Sequence, residues 1–158
     1  MIIMPKRERE NKTEKKKPKA NSQHELQEKY MELQILKQQI NSYVEQKQAV
    51  DEKVGELSST IDALKSLPAV KKGEEMWSSL GSGTFVRSDI KDVEKVLVAI
   101  GAGIVTKETL PKAIEILESR AKELNNISEE IVKQANSLVE RINELEPQFE
   151  KLAEEQQN

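Results

Sequence analysis

The side chains that most often carry enzymatic chemistry are few in this sequence, and they do not group. His24 is the only histidine and there is no cysteine, so the chain has no thiol nucleophile, no disulfide and no cysteine-based zinc site. Carboxylate pairs such as Glu129 and Glu130 fall in helical patterns, where they indicate a solvent-facing surface. No Ser/His/Asp, Walker or metal-ligand constellation is present. We therefore expect no catalytic residues, no metal and no enzymatic activity.

Two Gly-x-Gly segments are the remaining candidates for a chemical site. Gly81-x-Gly83 shares two glycines with the dinucleotide-binding fingerprint, but Val86 stands in place of the third glycine and no helix follows. Gly101-x-Gly103 is the same case. Both segments are better explained as tight turns, since glycine adopts the positive φ that hairpin turns require. No cofactor is expected.

The composition favours long helices over a compact mixed fold. Charged residues make up 34% of the 158 residues and aromatic residues 3%, whereas a typical globular domain is about 25% charged. No apolar run approaches the roughly 18 residues of a membrane span, and the apolar start at residues 1–4 is too short for a signal peptide. We expect a soluble, cytoplasmic protein that does not bind a membrane.

Two stretches repeat apolar residues at the alternating spacing of three and four that is typical of coiled coils. The first is Leu26–Leu64, in which only Lys29 and Lys47 interrupt the seam; the second is Leu110–Leu152, in which only Ser128 does. Such sustained periods predict two long helices that pack along one seam each.

The matching seam lengths predict that the two helices pair antiparallel within the chain. When Leu64 is set opposite Leu110, Lys47 falls opposite Ser128, so the mid-seam polar residues share a layer that can fix the register. A capping box that begins at Ser22 predicts the start of the first helix. Pro68 predicts the end of the first helix, and Pro111 predicts the first turn of the second.

The segment between the helices loses the coiled-coil period and predicts two β-hairpins related by an offset of 20 residues. Strands are expected at 76–80, 84–88, 96–100 and 104–107. Because 96–100 is apolar on both faces, it should be covered on both sides. Four short strands cannot build an independent core and their edges invite pairing, so we expect other subunits to complete the sheet. The residues expected to carry this oligomerisation are Trp77, Leu80, Gly81, Gly83, Phe85, Val96, Val98, Ile100, Gly101, Gly103 and Val105.

The predicted fold class is mainly α with a small β region: an antiparallel two-helix coiled coil whose helices are joined by two hairpins. Its segments are a disordered basic tail (1–20), an N-terminal helix (21–67), the hairpins (68–109) and a C-terminal helix (110–156). The tail has eight basic side chains against three acidic ones and no aromatic residue. A solvated tail is therefore favoured over a nucleic-acid-binding arm.

This arrangement resembles the alpha class of the prefoldin family over residues 22–155, through two hairpin sequences: LGSGTF at 80–85 and VAIGAGI at 98–104. The beta class has one hairpin. The resemblance implies a hexamer of two alpha-class and four beta-class subunits, in which the hairpins form a double β-barrel platform that carries the coiled coils. It also implies an ATP-independent chaperone that captures unfolded client proteins at the coiled-coil tips and transfers them to a group II chaperonin.

Apolar side chains near the free helix ends exceed what the seam needs, and frayed end turns would expose seam residues as well. The expected client-binding residues are Leu26, Tyr30, Met31, Leu33, Ile35, Val139, Leu145, Phe149 and Leu152. The alternative is that these residues flank the seam or pack against a neighbouring coil. Two other functions stay open at this point: a structural scaffold or filament without client transfer, and a nucleic-acid binder that uses residues 6–19.

Overall fold

The computed structural model describes residues 19–157, so the predicted disordered tail lies almost entirely outside the described residues. Along the sequence, two pairs of strands lie between two long helices. The elements are α1 (Lys19–Ser66), a 3₁₀ turn (Leu67–Ala69), β1 (Glu75–Gly81), β2 (Thr84–Asp89), β3 (Lys95–Gly101), β4 (Ile104–Thr109) and α2 (Leu110–Gln157). This order confirms the predicted fold class.

The helix boundaries agree with two of the three sequence signals. α1 begins at Lys19, three residues before Ser22, so the predicted cap at Ser22 is wrong and its capping box lies inside the helix. Ala20 and Lys19 are strong helix formers, which allows the helix to start earlier. α1 ends before the turn that contains Pro68, and Pro111 lies in the first turn of α2, as the missing proline N–H requires.

The described chain divides into two compact units. We call residues 19–40 and 137–157 the terminal unit, since it holds the first residues of α1 and the last residues of α2. We call Asn41–Asn136 the hairpin unit. Each unit has an apolar core of its own.

The core of the terminal unit follows the predicted seam of both helices. Its buried members are Leu33, Leu36, Ile142 and Leu145, and Ile40, Leu138 and Phe149 pack against them half-buried. Leu145 is the most enclosed, with 1% of its surface exposed. Every one of these residues occupies a seam position, so the period alone identified this core.

The core of the hairpin unit combines the helical seam with one hairpin. Leu57, Ile61 and Leu117 from the seam are buried together with Val98 of β3 and Ala113 of α2. The helices in this unit run antiparallel, since Asp51 contacts Ser128 whereas Lys65, further along α1, contacts Glu118, which lies earlier in α2. The predicted antiparallel orientation is confirmed here.

The predicted polar layer is present, and a third residue completes it. The buried Ser128 hydroxyl donates a hydrogen bond to Asp51, with 2.9 Å between Oγ and Oδ1. The Lys47 ammonium pairs with the other carboxylate oxygen of Asp51, one turn along the same helix. The hydrogen bond from Lys47, followed by that from Ser128, lowers the pKa of the Asp51 carboxyl below its usual value. The carboxylate thus joins the two residues that the seam placed in one layer.

The second hairpin has the same strand pairing as the first, 20 residues later in the sequence. β1 pairs antiparallel with β2 and β3 with β4, and the first hairpin has a β-bulge between Ser79 and Gly81 that recurs 20 residues later in the second. At the first turn Ser82 and Gly83 have φ values of 50° and 72°. Two consecutive positive φ values are typical of the type I′ turns that match the strand twist. The 20-residue repeat predicted from the sequence is confirmed.

Candidate functional site

Strand β3 has one face inside the protein and the other in solvent. Val96 and Val98 pack toward α2, and Val98 is 7% exposed. Leu97, between them, points to the opposite face and is 72% exposed. Because successive strand residues alternate between faces, only one of the two apolar faces of β3 is covered by this chain. That the other face is covered by another subunit stays a prediction.

The exposed apolar residues of the hairpins form a set that we call the hairpin surface. Its members are large side chains that no residue of the described chain buries: Met76, Trp77, Leu80, Phe85, Val86, Leu97, Ile100, Ile104 and Val105. Surface apolar residues scattered singly are ordinary, whereas nine within four short strands are not. This surface has the composition of an interface that is incomplete in the single chain.

The strand edges point to the same conclusion. Among residues 19–157 the strands form two separate two-stranded sheets, β1 with β2 and β3 with β4, so each of these strands has a partner on one side only. An edge strand presents N–H and C=O groups that can pair with another strand. The hairpins therefore offer backbone hydrogen bonds as well as apolar side chains to a partner chain.

The predicted oligomerisation residues divide between this surface and the core. Five large side chains of that set belong to the hairpin surface: Trp77, Leu80, Phe85, Ile100 and Val105. The four glycines shape the turns, all with positive φ. Val98 is instead buried in the hairpin unit, and Val96 is half-buried against the same core. The sequence reasoning did not single out Leu97, although strict alternation along β3 would have placed it opposite Val98.

Part of α2 outside the seam holds the second hairpin in place. Ala113 is fully buried and Ile116 half-buried, both in the cluster that contains Val98. The Arg120 guanidinium donates a hydrogen bond to the backbone carbonyl of Ala99 in β3. The second hairpin is therefore fixed to α2 by apolar packing and by a charge-assisted hydrogen bond.

A second exposed apolar surface lies in the terminal unit. Tyr30, Met31 and Ile35 of α1 are 52%, 57% and 52% exposed, and we call these three residues the tip patch. Met31 and Ile35 are one turn apart and so share a face of the helix. The Tyr30 ring also contacts Phe149 of α2, with 6.1 Å between ring centroids. Val139 of α2 is exposed as well.

The other predicted client-binding residues of the terminal unit are less accessible. Leu33 and Leu145 are buried in its core, while Leu26, Phe149 and Leu152 are half-buried. Only the tip patch and Val139 are thus open without movement of the helices. Leu33 and Leu145 would reach a client only if the end turns separated.

Charged and polar pairs line the rim of the terminal core. Arg141 binds Glu32 across the two helices at 3.0 Å, and Lys37 lies 3.0 Å from Glu146. The hydrogen bond that the Arg141 guanidinium donates to the Glu32 carboxylate is the main cause of the raised pKa of Arg141. Exposed pairs of this kind contribute about 0–1 kcal/mol each. These ion pairs therefore favour one register of the two helices but add little resistance to separation of the helices.

The described residues show neither a metal-binding cluster nor a membrane-spanning helix. Within residues 19–157, no three His, Cys, Asp or Glu side chains could hold a metal ion together. No helix in the same range combines the length and the apolar content needed to cross a bilayer.

Comparison with known proteins shows which family shares this architecture. The family model described as "Prefoldin subunit" matches residues 36–155. Prefoldin subunit alpha of Thermofilum pendens is 33% identical over 127 residues, which covers 80% of this chain and 96% of the relative. Prefoldin subunit alpha of Methanosarcina barkeri is 34% identical over 122 residues, which covers 77% of this chain and 82% of the relative.

Two solved structures share the fold. A filamentous PFD from Methanocaldococcus jannaschii superposes with a TM-score of 0.68 at 21% identity, over 73% of this chain and 95% of that one. The prefoldin beta subunit from Thermococcus strain KS-1 superposes with a TM-score of 0.54 at 20% identity, over 80% of this chain and 90% of that one. The two long helices and the two bulged hairpins agree with the family match, which extends over most of the chain. The chain belongs to the prefoldin family of molecular chaperones, as an alpha-class subunit of the archaeal type.

Proposed function

We propose that this chain assembles with beta-class prefoldin subunits into a hexamer of two alpha and four beta chains that acts in the cytoplasm. In this proposal the hexamer holds unfolded proteins without ATP and passes them to a group II chaperonin. The observation that carries the proposal is that, within residues 19–157, the hairpin surface on the strands and the tip patch on α1 are both exposed. Each surface supports a different part of the function.

The hairpin surface supports permanent assembly. Leu97 and Trp77 are among the most exposed apolar side chains of the chain, and both lie on strands with a free edge. Burying a Leu-sized side chain contributes about 1.5–3 kcal/mol, and edge pairing adds backbone hydrogen bonds. A platform of strands from several subunits would use both contributions at once.

The tip patch supports capture of unfolded chains. Tyr30, Met31 and Ile35 offer an aromatic ring, a flexible thioether and a branched alkyl group, which suit a range of apolar client segments. Each patch is small, so a single contact would be weak. Several arms around one client would raise the overall affinity through effective concentration.

Mixing the chain with a beta-class subunit tests the assembly. Native mass spectrometry should then give one species with two alpha and four beta chains. A filamentous relative of this fold is known in Methanocaldococcus jannaschii, and open-ended polymers of this chain would support the alternative of a structural scaffold. A chain that stays monomeric with the partner present would refute the assembly.

Suppression of client aggregation tests the tip patch in the assembled hexamer. Met31→Asp with Ile35→Asp should weaken suppression several-fold, because charged groups cannot replace the apolar contacts. The matched control is Gln46→Asp with Gln48→Asp, which adds the same charge at exposed positions of the same helix, about 16 Å or more beyond Ile35, and should leave suppression unchanged. Equal loss in both variants would assign the effect to charge and contradict client capture by the patch. Refolding yield with a group II chaperonin present then measures transfer.

A further inference from the structure

The pairing of the second hairpin defines which backbone groups lie on the free edge of β3. The Leu110 N–H donates a hydrogen bond of 3.1 Å to the Glu94 carbonyl, and this pair continues the register of β3 with β4. In an antiparallel pair, residues that bond across the ladder alternate with residues whose N–H and C=O groups point away from it. Starting from Glu94, every second residue therefore bonds to β4. The residues between them direct their backbone groups to the free edge: Lys95, Leu97 and Ala99.

Side chains of this chain occupy both ends of that edge. At one end the Asp92 carboxylate accepts hydrogen bonds from the N–H groups of Glu94 and Lys95, at 2.8 and 3.2 Å. These two bonds, that from Glu94 foremost, lower the pKa of the Asp92 carboxyl, so it is ionised at neutral pH. At the other end the Arg120 guanidinium donates a hydrogen bond to the Ala99 carbonyl. Within residues 19–157, the groups of this edge that stay open are the Lys95 carbonyl, both groups of Leu97 and the Ala99 N–H.

The first hairpin, although it has the same pairing, lacks both end contacts. The residue 20 positions before Asp92 is Lys72, whose ammonium cannot accept a hydrogen bond. The residue that corresponds to Ala99 is Ser79, and no side chain in the described part of the chain donates a hydrogen bond to its carbonyl. A hairpin of this sequence repeat thus forms without the end contacts. Their presence on β3 needs another explanation than hairpin formation.

We propose that Asp92 and Arg120 act as edge stops, which fix the register of a strand from a beta-class subunit on β3. The open groups between the stops allow one partner residue to exchange two hydrogen bonds with Leu97, with one further bond on each side. Beyond that stretch the partner backbone would meet the carboxylate or the guanidinium instead of open groups. A shift of the strand by two residues drives one of its ends into a stop, and a shift by one turns its apolar face away. This inference rests on the proposed assembly with beta-class subunits.

The edge between the stops suits a permanent partner strand. Leu97, at its centre, is 72% exposed and belongs to the hairpin surface, so the edge is continuous with the apolar surface expected to bind other subunits. Lys107 lies opposite Leu97 on β4 and is exposed. A lysine on an edge strand disfavours pairing, so β3 is the more receptive edge of this hairpin. A beta-class subunit shares the fold of this chain and so has strands to supply.

Hydrogen exchange, read residue by residue in the isolated chain and in the hexamer, tests the pairing without any substitution. The Leu97 N–H should exchange rapidly in the isolated chain and about 100-fold or more slowly in the hexamer, because only a partner strand can bond it. The amides of Val96 and Val98 bond to β4 and should be slow in both samples, which makes them the internal control. An unchanged Leu97 rate in the hexamer would overturn the proposal.

Photo-crosslinking in the hexamer tests the stops themselves. A diazirine analogue of leucine in place of Leu97 should link to one position of the partner strand. In Arg120→Met a second product, two residues along the partner, should appear because the strand can then slide. Lys122→Met removes the same charge from an exposed position of α2 and should retain the single product. Slow exchange of the Val98 amide in isolated Arg120→Met confirms that its hairpin is folded.

Asp92→Ala removes the opposite stop and gives an independent test if Arg120→Met does not fold. Its second product should lie two residues along the partner in the other direction. Absence of any complex with the beta-class subunit refutes the proposed assembly, and the edge stops with it. A hexamer that gives a single product in each folded stop variant refutes the edge stops alone.

Discussion

Adjacent residues of β3 allow assembly and folding to be perturbed separately. Leu97 is 72% exposed and Val98 is 7% exposed, although they are neighbours in one strand. In Leu97→Thr the isolated chain loses little, since a β-branched residue suits a strand and the site is in solvent; we expect a change within about 0.5 kcal/mol. Val98→Ala removes two buried methyl groups from the core and should lower the free energy of unfolding by about 1.5–3 kcal/mol.

When assembly is measured instead of folding, Leu97→Thr should be the more damaging of the two substitutions. If the outer face of β3 is covered in the hexamer, Leu97→Thr forfeits about 1–2 kcal/mol of apolar burial per alpha chain. With two alpha chains in the complex, the assembly constant should fall roughly 30- to 700-fold. Thermal unfolding of the isolated chain and sedimentation with the beta-class subunit give the two quantities. An assembly constant for Leu97→Thr within three-fold of that of the unchanged chain would refute the inferred cover over β3.

Other substitutions test a glycine inside α1, a glycine of a hairpin turn and the polar layer. Gly55→Ala should stabilise the chain by about 1 kcal/mol, because this helical glycine has open space at the Cβ position, whereas Gly83→Ala should destabilise it by about 1–2 kcal/mol because its φ is 72°; chemical denaturation measures both. Replacing Lys47 and Ser128 together with Leu should raise the melting temperature in calorimetry, and a marked drop would contradict the layer. The folded-state pKa of the Asp51 carboxyl lies below the model-peptide value of 3.8, so its contribution to stability is present above that value and is lost as pH falls through the lowered pKa. Ser128→Ala should move this pKa back up in an NMR titration, and an unchanged titration would contradict the role of the hydroxyl.

The seam residues of both cores were predictable from the sequence because they follow one local period. Leu33 and Leu145 in one unit, and Leu57 and Leu117 in the other, are buried at the positions that the alternating spacing of three and four assigns. The hairpins were predictable for a similar reason, since their glycines mark positive φ and the 20-residue repeat fixes both turns at once.

What the sequence did not predict depends on contacts between elements. Asp51 lies outside the seam, and only its distance of 2.9 Å from the Ser128 hydroxyl shows that it joins the polar layer. Ala113 is buried because β3 lies against α2 there, on a side of the helix that the coiled-coil period treats as exposed. The early start of α1 at Lys19 reflects helix propensity, which outweighed the capping signal at Ser22. Local patterns thus identify elements and seams, but not the second face of a helix that serves two partners.

The two exposed surfaces differ in what it costs to leave them open. In the hairpin surface, Leu97 and Trp77 lie on strands whose free edges carry unpaired backbone groups, so an open state exposes apolar area and also risks unwanted strand pairing. In the tip patch, Met31 and Ile35 lie in the interior of a helix whose backbone hydrogen bonds are already made within the helix. Leaving the tip patch open exposes side chains alone. A permanent partner is therefore expected on the hairpins, whereas the helices can bind and release apolar segments repeatedly without any change in backbone structure.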